Sequence, residues 1–138
     1  MPKTILIVDD STSFRQVVGM ALQGAGYEVV EACDGKDALT KLDGRKYHLI
    51  VSDVNMPNLD GIGFVKAAKE IAAYKFTPVV MLTSSREERD LVRSYSLGVN
   101  AFVVKPVGFE QFFEAIRDLG MFWAVLNEPP PRGSAPRP

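Results

Sequence analysis

The chain has 138 residues, 46% hydrophobic and 24% charged, with a formal net charge of −1. That length suits one domain around one core, and a near-neutral charge gives no electrostatic reason to expect nucleic-acid binding. One cysteine, Cys33, excludes an intrachain disulfide or a multi-cysteine metal site. The start, Met1-Pro2-Lys3-Thr4, lacks the apolar stretch and cleavage site of a secretory signal. No run approaches the roughly 20 apolar residues of a membrane span, so a cytoplasmic protein without a membrane partner is expected.

In chain order, the first element is the apolar run Thr4–Val8, a strand. Phe14, Val17, Val18, Ala21 and Leu22 then follow the spacing of one buried helix face, with Gly26 as a stop. Glu28–Glu31 reads as a second strand, and Ala38, Leu39 and Leu42 mark a short helix. Leu49–Ser52 is a third strand, followed by a helix carrying Phe64, Val65, Ala68, Ile71 and Ala72. Val79–Leu82 is a fourth. Ser84 or Ser85 caps the next helix, with Glu87 or Glu88 as capping-box partner and Leu91, Val92 and Tyr95 as anchors. Ala101–Val104 is a fifth strand, and Phe109, Phe112, Phe113, Ile116 and Trp123 fit a fifth helix interrupted by Gly120. All runs but the second are continuously apolar, which suits strands buried on both faces of a parallel sheet. The order is (βα)₅, an α/β fold with helices on both faces. Residues 1–126 form the domain, and 127–138, rich in Pro, form a tail expected to be mobile.

In such sheets ligands bind outside the carboxyl ends of the strands. Strand one ends at Asp9-Asp10, strand three at Asp53, strand four at Thr83-Ser84 and strand five at Lys105-Pro106. Three carboxylates in one crevice repel, each pair by roughly 3 kcal/mol at about 5 Å and an effective dielectric near 20. A divalent cation relieves this, and carboxylates are hard ligands suited to Mg²⁺. Lys105 adds a compact positive charge and Thr83 a hydroxyl donor. A nucleophilic carboxylate, a metal, a lysine and a hydroxyl make a phosphoryl-transfer site. Taken singly, Asp9-Asp10 is also a helix cap, Asp53 a loop acid and Lys105 a solvated lysine. Their convergence on one sheet edge favours the site.

These residues, with Asn55-Met56-Pro57 and Asp60-Gly61 after Asp53, resemble the receiver domain of bacterial two-component response regulators over about residues 3–120. The resemblance implies a doubly wound, flavodoxin-like (CheY-like) sheet of order 2-1-3-4-5. It makes Asp53 the phosphoacceptor, with Mg²⁺ held by Asp10, Asp53 and the Asn55 backbone carbonyl, and by Asp9 through water. Thr83 and Lys105 would contact the phosphoryl oxygens, and Thr83 and Phe102 would form the switch. Asn55 and Ser85 would tune dephosphorylation, and the peptide before Pro106 would be cis. The donor would be a histidine kinase, a phosphotransfer protein or an acyl phosphate. The output would be the surface of helix four, strand five and helix five, read by a downstream protein. The chain would be a signalling switch rather than an enzyme, with no output domain after it. Leu119-Gly120-Met121-Phe122-Trp123 and Asn127-Glu128-Pro129-Pro130 resemble the end of stand-alone receivers linked to phytochrome-type or hybrid kinases.

Phe109, Phe112, Phe113, Phe122, Trp123 and Leu126 exceed what one sheet-covering helix needs. They either make a homodimer interface with helix four and strand five or fold back on the body. His48 has no metal-ligand partners and reads as structural, and Cys33 as incidental. Arg86, Arg89 and Arg93 alternate with Glu87, Glu88 and Asp90, a solvated face or a partner surface. An aspartyl phosphatase would carry Asp-x-Asp after strand one, and a flavin-binding domain a Ser/Thr/Gly-rich loop there; adjacent Asp9-Asp10 fits neither. A pseudo-receiver that only binds partners is disfavoured by the complete acid, threonine and lysine set.

Overall fold

The computed structural model describes residues 3–105. The elements are β1 (Thr4–Val8), α1 (Thr12–Gly24), β2 (Glu28–Ala32), α2 (Gly35–Thr40) and β3 (Leu49–Asp53). They continue with α3 (Gly61–Glu70), a 3₁₀ turn (Ala72–Tyr74), β4 (Val79–Thr83), α4 (Arg86–Ser94) and β5 (Ala101–Val104). The strands form one parallel sheet in the order β2-β1-β3-β4-β5. The expected fifth helix, the peptide before Pro106, the aromatic excess beyond Lys105 and the tail lie outside the described residues.

Burial explains the strand sequences. Every residue of β3 and β4 is buried, whereas β2, at an edge, leaves Glu28 and Glu31 exposed and Val29 and Val30 partly exposed before the buried Ala32. That is why the second run alone is not continuously apolar. Two apolar layers flank the sheet. Leu6, Val8, Ile50, Phe64, Val65, Met81 and Val92 belong to the layer under α2, α3 and α4. Ile5, Ile7, Val18, Leu22, Val51, Leu82 and Val103 belong to the α1 side. Four of the five expected helices lie among the described residues, and each starts at a side-chain cap: Ser11, Asp34, Asp60 and Ser85. Helix α1 ends as expected at Gly26. Its φ of +95° lets Gly26 N–H reach Gln23 O and Tyr27 N–H reach Leu22 O, at 3.0 Å each.

The helix faces need correction. Val17 is 62% exposed, so the buried stripe of α1 runs through Phe14, Val18 and Leu22. Leu42 follows the end of α2. Ile71 is the C-cap of α3, and Ala72 starts the 3₁₀ turn, because the chain leaves the helix there for Tyr74 to bury its ring. In α4, Leu91 and Tyr95 are 51% and 53% exposed, and only Val92 is buried. The third and fourth strands each run one residue further than expected, to Asp53 and Thr83, and the second runs to Ala32. Polar strand ends are still paired in the ladder.

Gly61 begins α3 where the chain folds back against β3. Its N–H donates to Val54 O at 2.8 Å, and a Cβ there would collide with the Asp53 backbone carbonyl and approach the Met81 methyl. Gly61→Ala is therefore expected to lower stability by about 1–3 kcal/mol, the range of overpacked core substitutions. Urea unfolding of the variant against the parent measures it, and an unchanged midpoint would show that the turn can relax.

Candidate functional site

The parallel register delivers four strand ends to one edge. Asp9 follows β1, Asp53 ends β3, Thr83 ends β4 and Lys105 follows β5. Asp9 is 0% exposed and Asp53 6%, while Asp10 is exposed. One carboxylate oxygen from each of Asp9, Asp10 and Asp53 lies within 4.8 Å of the others. The neighbouring backbone is drawn in: Ser11 N–H donates to Asp9 Oδ1 at 2.8 Å, and Val54 N–H donates to Asp53 Oδ1 at 2.9 Å. Arg15 donates to the Asp9 carbonyl, fixing α1 against this edge.

Lys105 counters the acids. Its Nζ lies 2.8 Å from Asp9 Oδ2 and 3.5 Å from Asp53 Oδ2. Its ammonium also sits 4.7 Å from the Phe14 ring centroid, and its N–H donates to Thr83 O at 2.8 Å. Burial works to lower its pKa, but the hydrogen bond and charge of Asp9, then Asp53, outweigh that and hold it raised. One lysine does not neutralise three carboxylates. Asp53 is pushed up to about 6, first by burial and then by Asp9, with Lys105 and the Val54 N–H opposing. The cluster is a hard-oxygen donor set with surplus negative charge, which fits a divalent cation such as Mg²⁺.

Thr83 is fully buried, and its hydroxyl has no hydrogen-bond partner among the described residues. It lines a cavity of about 220 Å³ with Ser85, Arg86, Arg89 and Val104. Phe102 is partly buried against the core, with the Arg93 guanidinium 5.0 Å from its ring centroid. A cleft of about 440 Å³ runs between α4 and β5, lined by Val92, Arg93 and Phe102 among others. Asn55 is exposed on the loop after β3, and its amide donates to Glu88 of α4. Ser85 caps α4, accepting from Glu88 N–H at 3.1 Å. His48 Nδ1 accepts from Thr4 N–H at 3.0 Å, and burial lowers its pKa, as suits a structural histidine. Cys33 is exposed.

Sequence reasoning brought Asp9, Asp10, Asp53, Thr83 and Lys105 to one edge, as observed. It missed the Phe14 ring under Lys105, the reach of Arg15 to Asp9, and the link from Glu88 to Asn55. Phe14 and Glu88 carried only helix-periodicity and capping signals. A second loop tether was also illegible: Asn58, at φ 68°, donates to the α2 cap Asp34.

The fold and this edge define a doubly wound domain with an acidic, metal-competent cleft. Residues 5–117 match the model of the response regulator receiver domain, and the chain belongs to that family. It is thus a receiver of two-component signalling, the class that accepts phosphoryl groups. It is 39% identical to the chemotaxis response regulator CheY4 of Vibrio cholerae, with a TM-score of 0.79 over 86% of this chain and 99% of that one. It is 45% identical to the bacteriophytochrome response regulator AtBRR, with a TM-score of 0.75 over 93% and 99%. A transcriptional regulatory protein for alkaline phosphatase synthesis, PhoP of Bacillus subtilis, is 40% identical over 77% of this chain and 43% of its own length. The chain spans less than half the length of the curated relatives it matches. No described helix is long and apolar enough to cross a membrane.

Asp53 sets a pH dependence. Without metal, the folded state keeps its proton up to about pH 6, whereas the unfolded carboxylate loses it near 3.8. The folded state binds more protons between these values, so this group's contribution falls as pH rises through that window. Urea midpoints of metal-free protein should therefore decline more from pH 4 to 6.5 in the parent than in Asp53→Asn. Parallel profiles would refute the shift.

Proposed function

We propose that Asp53 is the phosphoacceptor of a receiver that couples phosphorylation to the α4–β5 surface. The observation that carries this reading is a buried carboxylate at the end of a central strand, crowded by acids and faced by Lys105 at 3.5 Å. Burial withholds Asp53 from solvent, and the Val54 N–H holds one of its oxygens. The carboxylate attacks phosphorus of a histidine kinase's or phosphotransfer protein's phosphohistidine, or of an acyl phosphate. A carboxylate O–P bond forms and the donor's P–N or P–O bond breaks, its electrons leaving with the donor. Asp10, Asp53 and the Asn55 carbonyl would hold Mg²⁺, with Asp9 through water; bound there, the ion supplies charge neutralisation for the transferred group. Lys105 pairs with a phosphoryl oxygen, exchanging one of its two acidic partners for a more highly charged one.

The orphaned Thr83 hydroxyl gains an acceptor when the phosphoryl group arrives. Its movement opens space beside Val104 and Arg89, and Phe102 turns inward from the α4–β5 cleft. With one buried apolar residue, α4 is weakly held and easily displaced. The output is the α4–β5 surface, read by a downstream protein. In this reading the chain is a signalling partner and not an enzyme for a separate substrate. Its working compartment is the cytosol, where the nucleotide-fuelled donor is made.

Intact mass after incubation with Mg²⁺ and acetyl phosphate tests the assignment. One added phosphoryl group is expected, lost in Asp53→Ala and on chelation of the metal; no gain with any donor would sink it. Thr83→Val separates resting from active roles. Removing a buried, unsatisfied hydroxyl without changing volume should leave stability equal or up to about 1 kcal/mol higher. Phosphorylation should persist, but the phosphorylation-induced NMR shifts of α4 and β5 should shrink. Undiminished shifts would remove Thr83 from the switch.

A further inference from the structure

Glu88 stands outside the acid cluster, yet its carboxylate joins two elements. Oε2 accepts from Asn55 Nδ2 on the loop that follows Asp53. Oε1 accepts from the Ser84 N–H at 2.9 Å, between β4 and α4. The Glu88 N–H meanwhile donates to Ser85 Oγ at 3.1 Å. In a reciprocal capping box the carboxylate would return to the cap residue's own N–H. Here it takes the preceding N–H instead and keeps its second oxygen for Asn55. The result is a polar bridge from the phosphoacceptor loop to the residue beside Thr83.

We infer that Glu88 is a positioning residue that holds the Asn55 amide toward α4 and so sets the lifetime of a phosphoryl group on Asp53. This rests on the reading of Asp53 as phosphoacceptor. A carboxylate only accepts hydrogen bonds, so it fixes the Asn55 NH₂ toward itself and leaves Oδ1 facing away. Hydrolysis of the acyl phosphate needs water to attack phosphorus. A P–O bond forms to water, the bond to Asp53 breaks, and carboxylate and inorganic phosphate result. An Asn55 amide released from Glu88 is free to serve that water or a phosphoryl oxygen. The bridge therefore withholds a group able to assist hydrolysis. It also ties the loop to α4, of which only Val92 is buried.

A plain capping role would stabilise α4 without reference to Asn55, and a double-mutant cycle separates the two. The full chain, Glu88→Ala, Asn55→Ala and the double variant are charged with acetyl phosphate and Mg²⁺, freed of donor, and followed by intact mass. Glu88→Ala should shorten the lifetime about threefold to tenfold, the range of coupled contacts. In the Asn55→Ala background the same change should have no further effect. In unphosphorylated protein, the Ser84 amide and the Asn55 NH₂ should exchange faster in Glu88→Ala. Equal effects in both backgrounds, or an unchanged lifetime in the single variant, would overturn the proposal. If the parent takes up no phosphoryl group, the Asp53 reading fails by itself. The exchange data then decide the bridge, and unchanged Ser84 exchange refutes it. Should Glu88→Ala fail to fold, Glu88→Gln replaces it: the NH₂ that takes the place of one carboxylate oxygen donates and cannot accept, so one of the two donors loses its partner and the same dependence on Asn55 is expected.

Discussion

Two buried carboxylates, Asp9 and Asp53, share one ammonium, Lys105, contributed 96 residues after Asp9. The arrangement exists only because β1, β3, β4 and β5 end on one edge. It leaves net negative charge, since Asp10 adds a third carboxylate within 4.8 Å. The site is therefore poised. Protonation of Asp53, a divalent cation or a phosphoryl group each redistributes the same charge, and Lys105 can follow whichever oxygen carries most of it. Phe14 gives the ammonium a surface on its other side, so the lysine is held without being neutralised.

The poise extends beyond the acids. Thr83 holds a buried hydroxyl with no partner among the described residues, beside a small cavity, which is a local cost. Phe102 lies against Arg93 at the α4–β5 cleft. Helix α4 joins these features, and Val92 is its one buried residue. A rigid, fully buried β3–β4 centre thus carries a weakly attached helix at its rim. The Glu88 carboxylate links that helix to Asn55 on the loop after β3 and to Ser84 beside Thr83.

Much of this was legible in the residues. Continuous apolar runs specify strands buried on both faces, and alternation with helical periodicity specifies a parallel sheet. Polar residues at the ends of those runs then mark the ligand edge, so Asp9, Asp10, Asp53, Thr83 and Lys105 could be placed together without coordinates. Such signals are local, and the backbone enforces them through hydrogen-bond direction and strand handedness. Val17, Ile71, Leu91 and Tyr95 show where local periodicity fails. An apolar residue at helical spacing is buried only if a neighbour covers it, and helix tilt on the sheet decides that.

Fold class, the sheet edge and the chemistry of its residues can be read along the chain, because strand and helix periods and side-chain type are properties of short segments. Which groups are paired, unpaired or shared follows from how those segments pack against one another. Lys105 divides itself between Asp9 and Asp53, Thr83 has no partner among the described residues, and Glu88 turns from helix cap to bridge. Each depends on distances between segments far apart in the chain, where a change of about 1 Å separates a hydrogen bond from none.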